Sequence, residues 1–328
     1  MEERDITVSP GEAGLDMLSL LSARFIGESK TRLRRLVAEG IVRLNGKGVA
    51  TCRRVNAGDV VSVPDGLDDS APAASAASLE VLHEDEAHLV LNKPAGIAVV
   101  PSRDSSEGSL YEVLVSRLNR NAPPGGPYVR PHLVHRLDRE TSGCLLVAKD
   151  ERTGRALSMQ FQRRAVRKTY LAIVEGVLPR DEVEIEVPIR RASSNAVEMV
   201  ADEKKGKDAK TLVALKEAFG HFSLVELRPQ TGRQHQIRLH MAAIGYPLVV
   251  DFLYGRRDRL TGSEFNDIVR ARKAPPGEVL LGRCPLHAAQ IAYRHPSTGK
   301  PMEMSAPLPA DMGAFLHLLR QADYAAGV

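Results

Sequence analysis

The apolar positions first follow a helical rhythm and then an alternating one. Leu15, Leu18, Leu21 and Phe25 recur at near-helical spacing. A second helix is expected from a Ser29 cap to about Glu39, with Leu33, Leu36 and Val37 on one face, and Gly40 stops it. IVRLNGKGV reads as strand, Asn45-Gly46 turn and strand, and VVSVP after Gly58-Asp59 as another short strand. Beyond residue 79, LEVLHEDEAHLVLNKPAG reads as two short strands entering a Lys-Pro turn. Residues 145–148 read as a strand and 151–164 as a helix. Further strands are expected at 169–175, 183–189, 211–218, 222–229 and 288–294, with a helix at 235–243. Strands outnumber helices and many are hairpin-like. The expected class is therefore α+β, a mostly antiparallel mixed sheet preceded by a small α/β domain.

PDGLDDSAPAASAAS, residues 64–78, holds almost no large apolar residue and cannot repay its own ordering. It sets the expected division: a domain at 1–64, a flexible linker at 65–79 and a large domain at 80–328. NAPPGGPYVRP, residues 121–131, reads as a loop inside the large domain, because patterned apolar segments flank it.

Composition narrows the field. The chain has 328 residues, 43% of them hydrophobic and 26% charged, enough for a sizeable core. Three separated cysteines, Cys52, Cys144 and Cys284, give neither a disulfide framework nor a cysteine zinc site. The start MEERDITVSP lacks an apolar run, and no stretch approaches a membrane span, so a cytoplasmic protein is expected. The net charge of +4 says less than its distribution. Between Arg24 and Arg54 stand nine Lys/Arg, among them Lys30, Arg32, Arg34, Arg35 and Lys47, against Glu28 and Glu39. Such a field calls for counterions or phosphates, although a solvated basic face without a partner has the same composition.

Three islands carry candidate chemistry. In PHLVHRLDRETSGCLLVAKD, Asp138 stands between Arg136 and Arg139 just before an apolar strand, where a carboxylate can stay ionised and act as nucleophile or base; a structural ion pair is the plainer reading. Ser142 beside Gly143 reads as a turn residue. In RKTYLAIVEG, Tyr170 opens an alternating strand, suited either to packing or to stacking on a base and moving a proton. In RPQTGRQHQIRLHMAAIGYP, Arg233, His235, Arg238 and His240 cluster after a Gly232 turn, and the planar fork of Arg238 suits the Asp138 carboxylate. His235 and His240 lack HExxH spacing, so no metal site is expected there. GxSxG and GxGxxG are absent, and the segment from Gly40 to Lys47 has the wrong spacing for a phosphate loop. The residues rank an RNA-directed enzyme first, a non-catalytic RNA-binding module second and a small-molecule hydrolase third.

LNKPAG, HRLDRETSG, KTYLAIVEG, TGRQHQIRLH, DFLYG and LHAAQIAYRHPSTGK, in this order over about residues 80–310, resemble the RluA/RluC/RluD family of RNA pseudouridine synthases. SKTRLRRLVAEGIVRLNGKGV and VNAGDVVSV resemble the alpha-L RNA-binding motif of a small-subunit ribosomal protein. Val250 replaces a common glycine, Gln234 a frequent threonine, and Gly14 an arginine frequent in the alpha-L motif. The resemblance implies cleavage of the uridine N-glycosidic bond, rotation of the uracil and rejoining through carbon 5, with no cofactor. It makes Asp138 the essential catalytic residue, Tyr170 and Arg238 its companions, and Arg136 the side chain that fills the stack left by the flipped base. Arg139, Arg233, His235 and the basic residues Lys30, Arg32, Arg34, Arg35 and Lys47 are the expected RNA contacts. The expected partner is RNA, with large-subunit ribosomal RNA favoured and transfer RNA the alternative, bound by a monomer. Whether Asp138 is needed for isomerisation separates the enzyme from a non-catalytic RNA-binding protein.

Overall fold

A computed structural model of the chain describes residues 3–25, 28, 30–67, 79–100, 109–119, 129–179, 182–193, 197–270 and 272–324. Most of the expected linker and of the 121–131 loop, together with the Ser29 cap, lies outside them.

The amino-terminal unit contains β1 (Glu3–Thr7), α1 (Met17–Arg24), α2 (Lys30–Ala38), β2 (Arg43–Leu44), β3 (Lys47–Gly48) and β4 (Val60–Pro64). The strands form an antiparallel sheet in the order β1-β4-β2-β3. Asp16 caps α1 by accepting the Ser19 N–H at 2.9 Å. Asn45 and Gly46 both take positive φ, as a two-residue hairpin with right-handed strand twist requires. Met17, Leu20, Leu21 and Phe25 of the first helical segment meet Leu33, Leu36 and Val37 of α2 and Val61 and Val63 of β4 in a core of their own. β1 was not expected; its Ile6 pairs with Val61 and closes the sheet edge.

The large unit follows as β5 (Glu80–Glu84), β6 (His88–Lys93), α3 (Leu110–Asn119), β7 (His132–Leu133), β8 (Ser142–Ala148), α4 (Glu151–Gln162) and β9 (Arg167–Glu175). Next come β10 (Val183–Glu186), β11 (Ile189–Arg191), β12 (Met199–Ala201), β13 (Lys210–Phe219), β14 (Phe222–Pro229) and α5 (Gln236–Ala243). The chain ends with β15 (Leu260–Thr261), α6 (Gly262–Val269), β16 (Val279–Leu281), β17 (Leu286–Arg294), β18 (Pro301–Ser305) and α7 (Ala310–Tyr324). Helix α1 of the small unit runs alongside α3.

Ten strands form one sheet, β10-β13-β14-β9-β17-β8-β6-β5, with β18 beside β17 and β7 beside β8. Its neighbours are antiparallel except β17 and β8. The fold is thus α+β with a mixed, mostly antiparallel sheet. The expected single strand at 183–189 is divided: Pro188 has no N–H for a ladder, and Ile189 onward pairs with β12 in a separate ribbon.

Side chains alternate between two cores, because successive residues of a strand point to opposite faces. On β9, Tyr170, Ala172 and Val174 enter one cluster with Leu110 and Leu114 of α3 and Ile237 and Met241 of α5. Ile173 joins the other, with Phe265 of α6 and Phe315, Leu316 and Leu319 of α7. The parallel β8–β17 contact depends on Gly143, whose φ is +109°; a Cβ there would lie 2.2 Å from the Ala288 carbonyl oxygen. Ser142 is accordingly strand, not turn, and its hydroxyl meets His287 Nδ1 at 2.9 Å. No helix among the described residues is long and apolar enough to cross a membrane.

Candidate active site

A cleft of about 490 Å³ opens between the loop entering β8, the start of β9 and the segment from β14 into α5. Asp138 sits on the first of these walls, and four hydrogen bonds and one ring stack fix its loop. The Leu146 N–H donates to His135 Nε2 at 2.9 Å, and the His135 ring stacks on Phe161. Burial, with the nearby Lys168 charge adding to it, pushes His135 down to about 3, so the imidazole stays a neutral acceptor. Lys93 Nζ donates to the Arg139 carbonyl at 3.0 Å, Arg283 Nη1 to the Glu140 carbonyl at 3.0 Å, and the Thr141 N–H to the Asp138 carbonyl at 3.1 Å. The Asp138 carboxylate keeps 20% of its surface exposed.

Arg238 projects from α5 and is buried. Its fork does not close on Asp138. Nε and Nη2 donate to the two carboxylate oxygens of Asp251 at 2.7 and 2.6 Å, while Nη1 stands 3.9 Å from Asp138 Oδ2. The expected two-pronged Asp138–Arg238 pair is thereby corrected. Asp251 is almost fully buried, and a carboxylate out of water needs the bidentate partner more than the part-exposed Asp138 does. Burial, the largest single influence, would lower the Arg238 pKa and raise that of Asp251; their hydrogen bonds and opposite charges, with the Leu253 and Tyr254 N–H groups on Asp251, together reverse both directions. The N–H groups of Leu253 and Tyr254 also donate to Asp251 Oδ1, and the Tyr254 ring lies 5.2 Å from the guanidinium. Arg238 is held from behind, with one nitrogen turned towards Asp138.

Tyr170 lies on β9 with its side chain buried in the core face that borders the cleft. Burial raises its hydroxyl pKa, and the Asp138 charge raises it further, so at neutral pH it is a phenol. Lys168, two residues earlier, donates to the Thr231 carbonyl at 3.3 Å; burial pushes it down to about 8. His235 precedes α5 in the left-handed region, φ 54°, a conformation that costs on the order of 1 kcal/mol for a non-glycine residue. Its Nδ1 meets the Tyr254 hydroxyl at 2.9 Å, and burial lowers its pKa although Asp138 and Asp251 oppose this.

The family profile described as RNA pseudouridylate synthase matches residues 87–243, the span that holds all three walls. The chain is 34% identical to an RNA pseudouridine synthase of Bacillus subtilis, over 98% of this chain and 99% of that protein. The chain belongs to the RNA pseudouridine synthases. It is also 33% identical to ribosomal large subunit pseudouridine synthase C of Pasteurella multocida, covering 96% of this chain and 94% of the relative. Against ribosomal large subunit pseudouridine synthase D of Nitrosomonas europaea the identity is 34%, over 96% and 88%. Among solved structures, human RNA pseudouridylate synthase domain containing 4 superposes with a TM-score of 0.56 at 26% identity, over 74% of this chain and 93% of that one.

In this synthase the cleft gathers Arg136, Asp138, Tyr170, Arg233, His235 and Arg238, all named from sequence. Arg136 is exposed, and Arg233 donates to the Asp208 carbonyl at 3.1 Å. Arg139 turns elsewhere and donates to the Gly96 carbonyl at 2.9 Å, binding the Lys-Pro turn to the Asp138 loop. His240 is a structural residue whose ring nitrogens meet Thr211 Oγ1 and the Val187 carbonyl. In the small unit, Arg32, Arg34, Arg35 and Lys47 are exposed, with Arg32 bound to Glu28 at 2.7 Å; the side chain of Lys30 lies outside the described residues. Arg24 belongs to no open basic face, because Glu12, itself buried, takes its fork at 2.6 and 2.8 Å. Sequence reasoning missed Asp251, Tyr254, Lys93 and Lys168 as parts of the site. Their only signal was membership of the DFLYG, LNKPAG and RKTY strings.

Proposed function

We propose that this synthase isomerises uridines in large-subunit ribosomal RNA, with Asp138 as its catalytic carboxylate. The target class is supported by the relatives from P. multocida and N. europaea, which are named for the ribosomal large subunit and are similar over nearly the whole chain. One observation carries the chemical reading: Asp138 is partly open to the cleft, and Arg238 faces it at 3.9 Å while Asp251 holds the guanidinium in place. A cation anchored in this way faces the carboxylate without occupying its oxygens, so the group is preorganised to attack ribose or remove a ribose proton.

A base inside a duplex is beyond reach and must be flipped, at a cost of a few kcal/mol. Arg136, exposed at the cleft, offers a flat guanidinium to the gap in the stack. Tyr170 acts first as a floor for the detached uracil, because a neutral phenol is a poor base. When the base has turned, the bond to nitrogen 1 is replaced by one to carbon 5. The carbon 5 proton goes to solvent, and nitrogen 1 takes up another. Arg233 and His235 line the opposite wall, while Arg139 contributes by holding the loop.

The small unit supplies a second grip, read as an alpha-L RNA-binding domain. Its support is the pair of helices on an antiparallel sheet, with Leu33, Leu36 and Val37 of α2 buried and Arg32, Arg34 and Arg35 exposed.

The experiment is tritium release from RNA carrying tritium at uridine carbon 5, since isomerisation frees that hydrogen. Large-subunit ribosomal RNA lacking pseudouridine should release it in the presence of the synthase, with modified positions then mapped by carbodiimide-primer extension. Release from transfer RNA alone would overturn the target assignment.

A further inference from the structure

We propose that His83, Asp85 and His88 form a site for one divalent transition-metal ion, with Zn²⁺ the best fit. It would sit at the end of β6 away from Lys93, where His88 pairs with Ala148. One ligand atom from each residue lies within 4.8 Å of the others. His83 Nε2 is 3.1 Å from Asp85 Oδ2, and His88 Nδ1 is 3.2 Å from Asp85 Oδ1. Ligand atoms about 2.0–2.2 Å from a tetrahedral zinc stand roughly 3.3–3.5 Å apart, so the cluster is close to the required spacing. The His83 side chain, one quarter exposed, has room to turn the last part of the way.

His88 supplies the independent observation. The residue is fully buried, and its Nδ1 has no hydrogen-bond partner although a carboxylate oxygen is 3.2 Å away. Its Nε2 meets the Tyr293 hydroxyl at 2.6 Å. When the Tyr293 hydroxyl accepts from Nε2–H, the Nδ1 lone pair is available as a ligand, and a cation between it and the Asp85 carboxylate satisfies both. The surroundings match the outer support that metal ligands need. His295 Nδ1 accepts the N–H groups of Ser297 and Thr298, so its proton is on Nε2, which donates to Asp85 Oδ2 at 2.9 Å. The N–H groups of Ala87 and His88 fix Oδ1 at 2.8 and 2.9 Å, which orients the carboxylate between the two imidazoles. Two imidazoles, one carboxylate and a position open to water form a donor set suited to zinc.

None of the three ligands lines the uridine cleft. His88 pairs in register with Ala148, whereas Lys93, which holds the Asp138 loop, pairs with Gly143 at the other end of the same ladder. Five residues of strand separate them, about 17 Å. The ion would fasten the β5–β6 turn to the β17–β18 turn through His295. HxDxxH carries neither of the metal spacings sought in the sequence, CxxC and HExxH, which is why it escaped notice there.

The test is Zn²⁺ titration by calorimetry of the full chain, untagged and stripped with chelator, alongside His83→Gln and His295→Gln. Wild type should bind one ion per chain. His295→Gln should weaken binding about 10–100-fold, the usual cost of losing an outer partner, and His83→Gln should weaken it more. In wild type alone, Zn²⁺ should shift the ring resonances of His83 and His88 most among the ten histidines, a readout that needs no variant to fold. Absence of saturable one-to-one binding, binding unaltered by His83→Gln, or shifts confined to other histidines would overturn the site in favour of a hydrogen-bonded cluster around Asp85. Isomerase activity enters none of these outcomes.

Discussion

Arginine does two different jobs in the two units of this protein. On α2, Arg32, Arg34 and Arg35 lie on the solvent side of a helix whose other face is core, and Arg32 and Arg35 meet Glu28 and Glu39 only one turn away. In the cleft, Arg238 is buried and bound to a buried carboxylate brought from a separate turn. The arginine ends of these pairs are exposed even where Glu28 is not, and surface pairs are worth about 0–1 kcal/mol, so the guanidiniums stand where phosphates can approach. A buried pair cannot exchange partners without leaving a charge stranded. Under the proposed reading the small unit would grip RNA through exchangeable surface charges, whereas the large unit holds a single side chain in a single place.

The hardest blow to this contrast should come from Asp251→Asn. Removing one member of a buried pair costs about 3–5 kcal/mol, and denaturant unfolding should show it. A loss under about 1 kcal/mol would place the pair in the surface class. Next in size, Arg238→Lys keeps the charge but not the fork that Asp251 grips. Single-turnover isomerisation at saturating protein should fall about a hundredfold, the range for losing one preorganised donor. An unchanged rate would remove the Arg238 geometry from the chemistry.

Lys168 tests the buried cations by pH. Burial holds it at about 8, so it is charged below that value and neutral above. Lys168 lines the cleft, so its charge should contribute to RNA affinity there; at constant salt the affinity should fall as pH rises from 7 to 9, by up to about tenfold, and Lys168→Met should remove that component. A profile identical in the variant would mean that the lysine carries no phosphate. Smallest at physiological salt is the triple change of Arg32, Arg34 and Arg35 to Gln. It should lower the log–log salt slope of RNA binding by somewhat under one for each phosphate no longer neutralised, and leave the saturated rate unaltered. An unchanged slope would take α2 off the RNA.

The same contrast governs what could be read beforehand. Asp138, Tyr170 and Arg238 lie in strings whose residue order is distinctive, and the fold brings those strings to one cleft. The partner of Arg238 was not readable. Asp251 lies thirteen residues on, in a turn whose direction depends on how α5 packs, and Asp138 was as good a carboxylate in one dimension. Local strands followed from alternation, but α6 was missed although Thr261 and Glu264 spell a capping box, and α7 although Phe315, Leu316 and Leu319 share a face. In both cases the signal was in the text. The parallel β8–β17 join is different, since it depends on a close approach between Gly143 and Ala288, residues far apart in the chain.

Asp138 is proposed to carry the chemistry of the cleft without carrying the affinity for RNA. Asp138→Asn tests this most directly, by tritium release in a single turnover at saturating protein, paired with RNA affinity at the same salt. The account predicts release reduced by roughly a thousandfold or more with affinity within about twofold of wild type, because the charge is needed only in the chemical steps. Release near the wild-type rate in a variant that binds normally would contradict it.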